Sequence, residues 1–364
     1  MEKLKKALDK RLADGALREL RVLPKIVDFS SNDYLGLAND QDLKEHILSA
    51  YTAMNSKNGS TGSRLLTGNN ENTLNCEAFL AKLFGMESSL LFSSGYAANL
   101  AFFSSVPRKG DTILYDALSH ACIKDGARLS FADKRSFRHN DLDDLEHKLK
   151  NAKGAIYVAC EAVYSMDGDQ APLREMVSIC KKYNAQLVID EAHSTGIWGT
   201  SGSGWVAELG LTDQVFALIS TFGKAMGVHG ATISGSEVLK NYLVNFSRPF
   251  IYTTGISDFE VVAIQQAFRF LDKNKSRQER LLDLIDYLNS QYPFLASPSA
   301  IKTFIVGGNN ETKEWSEYFK KQGYDIRPIL SPTVAVGQER LRICLHAYNS
   351  TKEIDFICKA LQGH

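Results

Sequence analysis

The stretch AQLVIDEAHSTG, residues 185–196, places a carboxylate and an imidazole directly after a short apolar run. The run AQLVID has apolar residues on both faces, which is typical of a parallel strand buried inside a sheet. Asp190 ends the run, and His193 lies in the turn that follows it. Because ligands of parallel α/β sheets bind beyond the carboxyl ends of the strands, this turn is a predicted part of a ligand site.

Four further apolar runs lie on either side of this strand and alternate with helix-like stretches. Alternation of buried strands with helices predicts a layered α/β domain. The four runs are SSLLFSS (88–94), DTILYD (111–116), GAIYVAC (154–160) and VFALIS (215–220).

The carboxyl-terminal part of the chain has a different pattern. Residues 257–291 carry a long helical pattern, and the tail then alternates between strand-like and helical segments. This pattern predicts a smaller α+β domain that is joined by a long helix. We therefore predict an N-terminal helix and arm over residues 1–36, a large domain over 37–268 and a small domain over 269–364.

The composition argues against several classes of function. The 364 residues include 42 Lys and Arg against 42 Asp and Glu, so a formal net charge of +0 gives no electrostatic argument for nucleic acid or an acidic membrane surface as the main partner. The apolar runs fall far short of the ~18 residues of a transmembrane helix, and the N-terminus lacks the features of a signal peptide, so a cytoplasmic location is predicted. The six cysteines form no Cys-x-x-Cys pair, and we expect neither a zinc site nor a disulfide framework.

Polar residues follow each of the predicted strands. Each has an ordinary alternative: Asp190 also suits a helix cap or a turn, and His193 suits a packed or surface position. His120 suits the first turn of the following helix, and Lys224 suits a solvated face. Together, however, they match the groups of pyridoxal phosphate, whose ring nitrogen needs a carboxylate and whose aldehyde needs a lysine. The small residues on either side of Lys224 leave room for this cofactor. The strand-end residues are Gly95 and Tyr96, Ser119 and His120, Glu161 and Ser165, Asp190 and His193, and Thr221 and Lys224.

The segment SSGYAAN (93–99) places Gly95 between a strand and a helix. Backbone N–H groups at a helix start, with no side chain in the way, suit a phosphate group. The segment GSTGSRLLTG (59–68) lacks the Gly-Lys-Ser/Thr ending of a Walker loop, and no G-x-G-x-x-G follows a strand. The sequence therefore indicates a phosphate site that is neither a Walker loop nor a dinucleotide-binding fingerprint.

Blocks of sequence spread over nearly the whole chain resemble the α-oxoamine synthases, the fold-type I pyridoxal-phosphate family that condenses an amino acid with an acyl thioester. The resemblance implies a large domain with a mainly parallel seven-stranded sheet between helices, and a smaller α+β domain. The matching blocks are DFSSNDYLGLA (28–38), LLFSSGYAANLA (90–101), LSHACIKDGARLS (118–130), VYSMDGDQAPL (163–173), VIDEAHSTGIWG (188–199), TFGKAMGVHGA (221–231), RPFIYTT (248–254) and RLRICLHA (340–347).

The resemblance also implies a role for individual residues. Lys224 would bond to the cofactor aldehyde and move protons at the substrate Cα, Asp190 would pair with the ring nitrogen, and His193 would hydrogen-bond the phenolic oxygen. His120 would stack on the ring, and Ser165 would lie beside the cofactor on the substrate side. The residues that would hold the phosphate are Gly95, Tyr96, Thr221 and, from a partner subunit, Thr253 or Thr254. The residues that would bind substrate are Asn32, Arg342 for the amino-acid carboxylate, and Arg18 for the acyl group.

Three features depart from the family pattern. Thr73 stands where the family has a helical histidine, so no catalytic role is expected for it. GSG (202–204) replaces GRG, and the segment between Arg18 and Asp28 is shorter than usual. These departures concern the acyl-thioester entrance more than the cofactor site.

The implied function is a homodimeric acyltransferase that condenses L-alanine with a pimeloyl thioester and releases carbon dioxide and the carrier, either coenzyme A or a carrier protein. The strings SSNDYLGLA, TFGKAMGVHGA and RPFIYTT favour this biotin-pathway branch. One alternative is glycine or serine as the amino acid with a different acyl-CoA. A second alternative is a non-catalytic ligand-binding module, against which the intact Asp-His-Lys set argues. No metal is expected.

The sequence alone leaves two assignments open, the structure of residues 248–255 and the choice between Arg340 and Arg342. Taken alone, RPFIYTTG (248–255) indicates a buried strand and a turn, with Thr253 and Thr254 capping the next helix. The resemblance implies instead that these hydroxyls reach the partner's cofactor across a two-fold interface. In RLRICL, alternation places Arg340 and Arg342 on the same face of a strand, and the resemblance selects Arg342.

Overall fold

The computed structural model describes residues 1–18, 20, 22, 25–54 and 56–363. Part of the predicted N-terminal arm, residues 19, 21, 23 and 24, therefore lies outside the described residues. By its internal contacts the chain divides into two compact units. The first unit contains Met1–Tyr34, Met166–Gly168 and Leu281–His364, and the second contains Leu35–Ser165 and Asp169–Arg280.

Strands and helices alternate along most of the chain. The strands of the described residues are β1 Val27–Asp28, β2 Ser88–Phe92, β3 Thr112–Asp116, β4 Asp133–Phe137, β5 Ile156–Glu161, β6 Ala185–Asp190, β7 Ala217–Thr221, β8 Ala231–Gly235, β9 Ile301–Ile305, β10 Tyr324–Asp325, β11 Arg327–Ile329 and β12 Arg340–Cys344. The α-helices of the same residues are α1 Glu2–Ala13, α2 Gln41–Thr52, α3 Glu71–Leu83, α4 Gly95–Ser105, α5 Ala121–Leu129, α6 Leu142–Lys150, α7 Leu173–Lys182, α8 Trp205–Glu208, α9 Glu237–Phe246, α10 Arg248–Ile251, α11 Asp258–Lys273, α12 Ser276–Gln291, α13 Asn309–Lys321 and α14 Thr351–Gln362.

Among its described residues, the second compact unit is built on a seven-stranded sheet in the order β2-β8-β7-β6-β5-β3-β4. The strands from β7 to β4 run parallel, whereas β8 is antiparallel to both β7 and β2. Strands β2 and β5 are buried at every position, as expected for strands whose two faces are both covered. The predicted α/β fold with a mainly parallel seven-stranded sheet is confirmed.

Helices α4 and α5 pack closely in the core of this unit. Phe102 and Phe103 of α4 are buried among apolar residues of α5 and of the central strands. A Cβ at Gly126 of α5 would lie 2.8 Å from the Cβ of Phe103, so only glycine allows this approach. This packing fixes the position of α4 and α5 on the sheet. Both helices begin just after the carboxyl ends of strands, α4 after β2 and α5 after β3.

The first compact unit contains two small sheets within the described residues. Strands β11, β12 and β9 form an antiparallel sheet, and β1 pairs with β10 in parallel. Helix α14 starts with a capping box in which Ser350 and Glu353 bond each other's backbone N–H groups, and its apolar face is buried. The smaller carboxyl-terminal α+β domain of the predicted fold is thus present, whereas the domain boundaries at 36 and 268 stay predictions.

The long helix predicted over residues 257–291 is instead two helices, α11 and α12. At Asn274 the backbone leaves helical geometry, with φ −124° and ψ 48°, and the side-chain amide donates to the carbonyl of Phe270 at 2.8 Å. An asparagine side chain that satisfies a terminal carbonyl offers the backbone an alternative to continuing the helix. The periodicity alone gave no sign of this break because it continues on both sides.

The interpretation of residues 248–255 as a buried strand with capping threonines is wrong. Arg248–Ile251 forms the short helix α10, with proline in its first turn, where the missing N–H is tolerated. Thr253 and Thr254 are exposed and cap no helix. Ser257 caps α11 instead, through a capping box with Glu260.

Among the described residues, we find no helix that is both long and apolar enough to cross a membrane. The six cysteines are all buried and unpaired by disulfides.

Candidate active site

A cavity of about 160 Å³ lies at the carboxyl ends of the parallel strands of the second compact unit. Glu161, Asp190 and Thr221 end β5, β6 and β7, so the sheet itself brings these side chains to one edge. The cavity contains seven of the residues to which the family resemblance assigns a role, together with Glu161 from the strand-end residues. Its lining residues are Gly95, Tyr96, Asn99, His120, Cys122, Glu161, Asp190, Ala192, His193, Thr221 and Lys224.

Lys224 and His193 are in direct contact in this cavity. The Nζ of Lys224 lies 2.7 Å from the Nε2 of His193. His193 is buried, whereas Lys224 is half-buried and keeps access to the cavity. An added Cβ at Gly223 would have no neighbour nearer than 3.7 Å, so there is space beside the lysine. The amine is thus held by an imidazole, with open space beside it.

The carboxylate of Asp190 is buried and oriented by two donors. Its Oδ2 accepts from the Nδ2 of Asn99 at 2.6 Å, and its Oδ1 accepts from the backbone N–H of Ala192 at 2.8 Å. Asn99 also donates to the carbonyl of Gly95 at 3.0 Å, and its own Oδ1 is buried with no hydrogen-bond partner. The carboxylate of Asp190 is therefore held in one orientation, and it lies beside the side-chain oxygen of Asn99, which has no hydrogen-bond partner.

Asn99 was missed by the sequence reasoning, although a signal existed. It lies four residues after Gly95 in α4, and residues spaced by four lie on the same face of a helix. A site at Gly95 therefore also predicts Asn99 as part of the site, because the two residues lie on the same face of α4.

Glu161 lies beside Asp190 on the neighbouring strand, and the two carboxyl groups are in register. Burial raises the pKa of Glu161, the charge of Asp190 raises it further, and it reaches about 8. Its Oε1 accepts from the backbone N–H of His120 at 2.5 Å. Glu161 thus holds the start of α5 while it stays largely protonated at neutral pH.

His120 is the N-cap residue of α5, and its ring belongs to the cavity wall. The ring Nδ1 accepts from the backbone N–H of Cys122 at 3.3 Å and lies 2.9 Å from the Sγ of the same residue. Burial lowers the pKa of His120, which keeps the ring neutral at pH 7. A neutral flat ring fixed at its Nδ1 is suited to stacking on a second ring.

The N-terminus of α4 forms another wall of the cavity. Ser94 caps the helix by accepting from the backbone N–H of Ala97, and Gly95 and Tyr96 form its first turn. A Cβ at Gly95 would lie 3.2 Å from the Cβ of Thr221, so glycine keeps this corner open. Helix starts attract anions, because N–H groups and the positive end of the helix dipole point outward there.

Three predicted residues of the same unit do not line the cavity. Ser165 lies in the turn after β5, and Thr253 and Thr254 are exposed between α10 and α11. Thr73, which we expected to have no catalytic role, is fully buried in the first turn of α3. Its N–H and hydroxyl both donate to Asn70, at 2.9 and 3.0 Å.

The remaining predicted residues belong to the first compact unit. Arg342 is buried and donates to Asn32 Oδ1 at 2.9 Å and to Cys344 Sγ at 2.9 Å. The hydroxyl of Tyr34 also donates to Asn32 Oδ1, at 3.0 Å. Arg18 donates from Nη2 to the hydroxyl of Thr333 at 3.4 Å, on the surface.

Arg340, the alternative to Arg342, is ion-paired. Its guanidinium contacts the carboxylate of Asp167, and its Nε donates to the carbonyl of Gln338 at 2.9 Å. Arg342 is held instead by the amide oxygen of Asn32 and the thiol of Cys344.

The family model for aminotransferase class I and II matches residues 24–361. The chain belongs to this family. It is 37% identical to the 8-amino-7-oxononanoate synthase of Emericella nidulans, covering 99% of this chain and 94% of that one. Its fold is similar to that of the serine palmitoyltransferase of Sphingomonas wittichii, with a TM-score of 0.89, 28% identity and coverage of 99% and 96%. A serine palmitoyltransferase from S. paucimobilis, with bound PLP and myriocin, has the same TM-score, 26% identity and the same coverage.

These similarities confirm several predictions from the sequence. The resemblance to the α-oxoamine synthases, the fold-type I architecture and the pyridoxal-phosphate cofactor are confirmed for this aminotransferase-family chain. The prediction of an enzyme of the acyltransferase type is confirmed as well. The roles of individual site residues stay predictions.

Proposed function

We propose that this enzyme condenses L-alanine with a pimeloyl thioester to give 8-amino-7-oxononanoate, carbon dioxide and the free carrier, in biotin biosynthesis. The observation that carries the proposal is the contact of Lys224 with His193 in a cavity that also contains the oriented carboxylate of Asp190. The identity of 37% to an 8-amino-7-oxononanoate synthase over 99% of the chain supports the same activity.

The cavity suits pyridoxal phosphate. Its phosphate would lie at the start of α4, where Gly95 keeps space open and helix N–H groups attract an anion. Asp190 would face the ring nitrogen, His120 would cover the ring, and His193 would bond the phenolic oxygen. When bound, the cofactor supplies an aldehyde for amines and a ring that withdraws electrons from the substrate Cα.

Lys224 is the residue that would move protons in this reaction. Its amine would take the Cα proton of alanine and return a proton to the same carbon after carbon dioxide leaves. The imidazole of His193, at 2.7 Å, would orient the amine during both transfers. Asp190, held by Asn99 and Ala192, would keep the ring nitrogen protonated, because an opposite charge within reach favours the charged form.

Arg342 would bind the carboxylate of alanine. Its planar fork matches a carboxylate with two parallel hydrogen bonds, and Asn32 holds the guanidinium in place. Arg18 would contact the acyl substrate, and Ser165 would lie beside the cofactor. We further propose a cytoplasmic homodimer in which Thr253 or Thr254 of each subunit reaches the partner's cofactor phosphate.

A purified assay tests the proposed function. Alanine, glycine and serine are each offered with pimeloyl, acetyl and palmitoyl thioesters, on coenzyme A and on a carrier protein. Alanine with the pimeloyl thioester is expected to give the highest kcat/KM. Preference for serine with palmitoyl-CoA would favour the alternative that the serine palmitoyltransferase structures suggest. Absence of all condensation, with cofactor still bound, would favour a ligand-binding module.

Arg342→Lys is expected to weaken alanine binding by about 1–3 kcal/mol, because a lysine keeps the charge but loses the two-pronged geometry. The measurement is the alanine concentration dependence of the cofactor absorbance, which reports binding without turnover. Arg340→Lys is the matched control, because the guanidinium of Arg340 is already ion-paired with Asp167. A loss in the Arg340 variant, with none in the Arg342 variant, would reverse the assignment.

Mixing two inactive variants is expected to restore part of the activity if the sites are shared between subunits. The variants are Lys224→Ala and the double variant Thr253→Ala/Thr254→Ala, because each mixed dimer then has one site with Lys224 and both threonines intact. Subunit exchange is followed by differently tagged chains. The double threonine variant alone has to be clearly impaired for the test to be informative. No recovery despite proven exchange would exclude the shared site.

Cofactor is also expected to favour the dimer by mass action, which sedimentation can measure.

A further inference from the structure

A second cluster of charged groups lies in the same compact unit, outside the cavity lining. His139, which follows β4, is placed between two carboxylates. Its Nδ1 lies 2.9 Å from Asp116 Oδ1, and its Nε2 lies 2.7 Å from Asp169 Oδ2. Carboxylate oxygens accept hydrogen bonds, so both ring nitrogens donate and the ring is an imidazolium.

The surroundings of His139 favour this charged form. Burial alone would lower the pKa of His139, but the hydrogen bonds and charges of Asp116 and Asp169 outweigh it and raise it to about 10. Asp116 is fully buried, and the edge of the His139 ring packs at 90° on Tyr164, with 4.5 Å between ring centroids. Beyond these groups, the side-chain amide of Asn140 lies 3.4 Å from Nε2.

On one side, the cluster holds the turn that leads to His120. Asp116 ends β3, and the oxygen that faces His139 also accepts from the backbone N–H of Leu118 at 2.8 Å. The carbonyl of Asp116 accepts from the N–H of Ser119 at 3.0 Å. The direction of the Asp116 side chain therefore sets the path of the chain into His120.

On the other side, the cluster holds the turn that contains Ser165. The carbonyl of Asp169 accepts from the N–H of Tyr164 at 2.9 Å and closes that turn. The Asp169 carboxylate also accepts from the side chain of Asn140 at 2.7 Å. His139 and Asn140, which follow β4, thus bind the Asp169 end of this turn, and the His139 ring packs on Tyr164 at its other end.

We propose that His139 is a positioning residue that ties the turn leading to His120 to the turn around Ser165, and so fixes the surface against which the cofactor ring packs. The inference rests on the proposed function, because it assumes that the cofactor lies beside His120. It extends that function to a histidine that touches neither cofactor nor substrate.

The direction of the pH effect follows from the pKa of His139. Its pKa is raised from 6.5 to about 10 on folding, so the stabilisation is fully present below pH 6.5 and is lost as the pH rises through about 10. The two turns that His139 ties together are therefore expected to stay ordered up to about pH 9 and to lose this order near pH 10.

The test compares His139→Gln with His147→Gln, a matched control on the exposed face of α6. Two readouts need no turnover: circular dichroism in the absorption band of bound pyridoxal phosphate, and the dissociation constant of the cofactor. In the wild type and in His147→Gln the dichroism should fall near pH 10. In His139→Gln it should be reduced at pH 7.5 and lack that transition, and the dissociation constant should rise about tenfold, as for one lost hydrogen bond to a charged group.

Two further measurements keep the inference testable if His139→Gln folds poorly. Asp169→Asn removes the more exposed carboxylate and leaves the buried Asp116 pair, so an intermediate loss of dichroism with a lowered transition pH is expected. In the wild-type apoprotein, carbon-13 labelling of the histidine rings should show the His139 titration near pH 10. A titration near 6.5, or unchanged dichroism in both variants, would overturn the inference.

These readouts also separate this inference from the proposed function. If no thioester is condensed but the dichroism follows His139 as described, then the proposed substrates are wrong and the positioning role stands. If condensation occurs at the wild-type rate in His139→Gln, with unchanged dichroism and pH profile, then the positioning role is wrong and the proposed function stands.

Discussion

Lys224→Ala is expected to abolish the condensation, with a loss of at least about 10³-fold in kcat. A positioned acid or base alone contributes about 10²–10⁴-fold, and this variant would also lose the covalent attachment of the cofactor. Pyridoxal phosphate should still bind loosely, because the start of α4 is untouched. Borohydride reduction of the wild type followed by peptide mapping should place the cofactor on Lys224.

Two further variants separate the chemistry of Lys224 from its charge. Lys224→Arg keeps a positive charge near His193 but offers no primary amine for the aldehyde, so it should be as inactive as the alanine variant. Lys182→Ala removes a surface lysine that pairs with Glu146 and should behave as the wild type. Cofactor mapped to any lysine other than Lys224, or substantial activity in Lys224→Arg, would contradict the assignment.

That Asp190, Thr221 and the residues just after them line one cavity could be predicted from the sequence, because they directly follow apolar strands. Asp190 and Thr221 end β6 and β7, and the parallel sheet brings such positions together regardless of the loops. Lys224 and His193 lie within three residues of these ends, so little of their placement depends on distant contacts. Their 2.7 Å contact was still not predictable, since it depends on how the two turns fold toward each other.

The cluster around His139 shows what local patterns leave out. Strand β4 lies at one edge of the sheet and is exposed at four of its five positions, and its sequence DKRSF lacks an apolar run. Without that strand, nothing in the sequence places His139 near Asp116 or Asp169. The three residues meet only through tertiary structure, across 23 and 30 positions of the chain. The start of α11 is a different case, because SDFE (257–260) is a local capping-box pattern and the helical pattern is predicted to begin at residue 257. The interpretation of Thr253 and Thr254 as capping residues was therefore wrong against a signal that the sequence itself contains.

Asp190→Asn is expected to slow the exchange of the alanine Cα proton with deuterium by about 100-fold or more, similar to the loss of one preorganised electrostatic partner in other active sites. The asparagine keeps the shape and can still accept from Asn99 or Ala192, so the cofactor should be retained in part. It lacks the negative charge that would keep the ring nitrogen protonated, and the electron-withdrawing power of the ring depends on that proton. Exchange is measured by proton NMR in deuterated buffer without thioester, so that only the proton transfer is observed.

The control for Asp190→Asn is Asn99→Ala, which removes one of the donors that orient Asp190 and leaves its charge in place. Asn99 donates to Asp190 Oδ2 at 2.6 Å, so weaker cofactor binding is expected when this hydrogen bond is lost. The two variants should therefore differ: Asp190→Asn loses exchange even at saturating cofactor, whereas Asn99→Ala should regain part of its exchange when cofactor is added in excess. Exchange at the wild-type rate in cofactor-saturated Asp190→Asn would show that the carboxylate only positions the ring, and its role in making the Cα proton acidic would have to be abandoned.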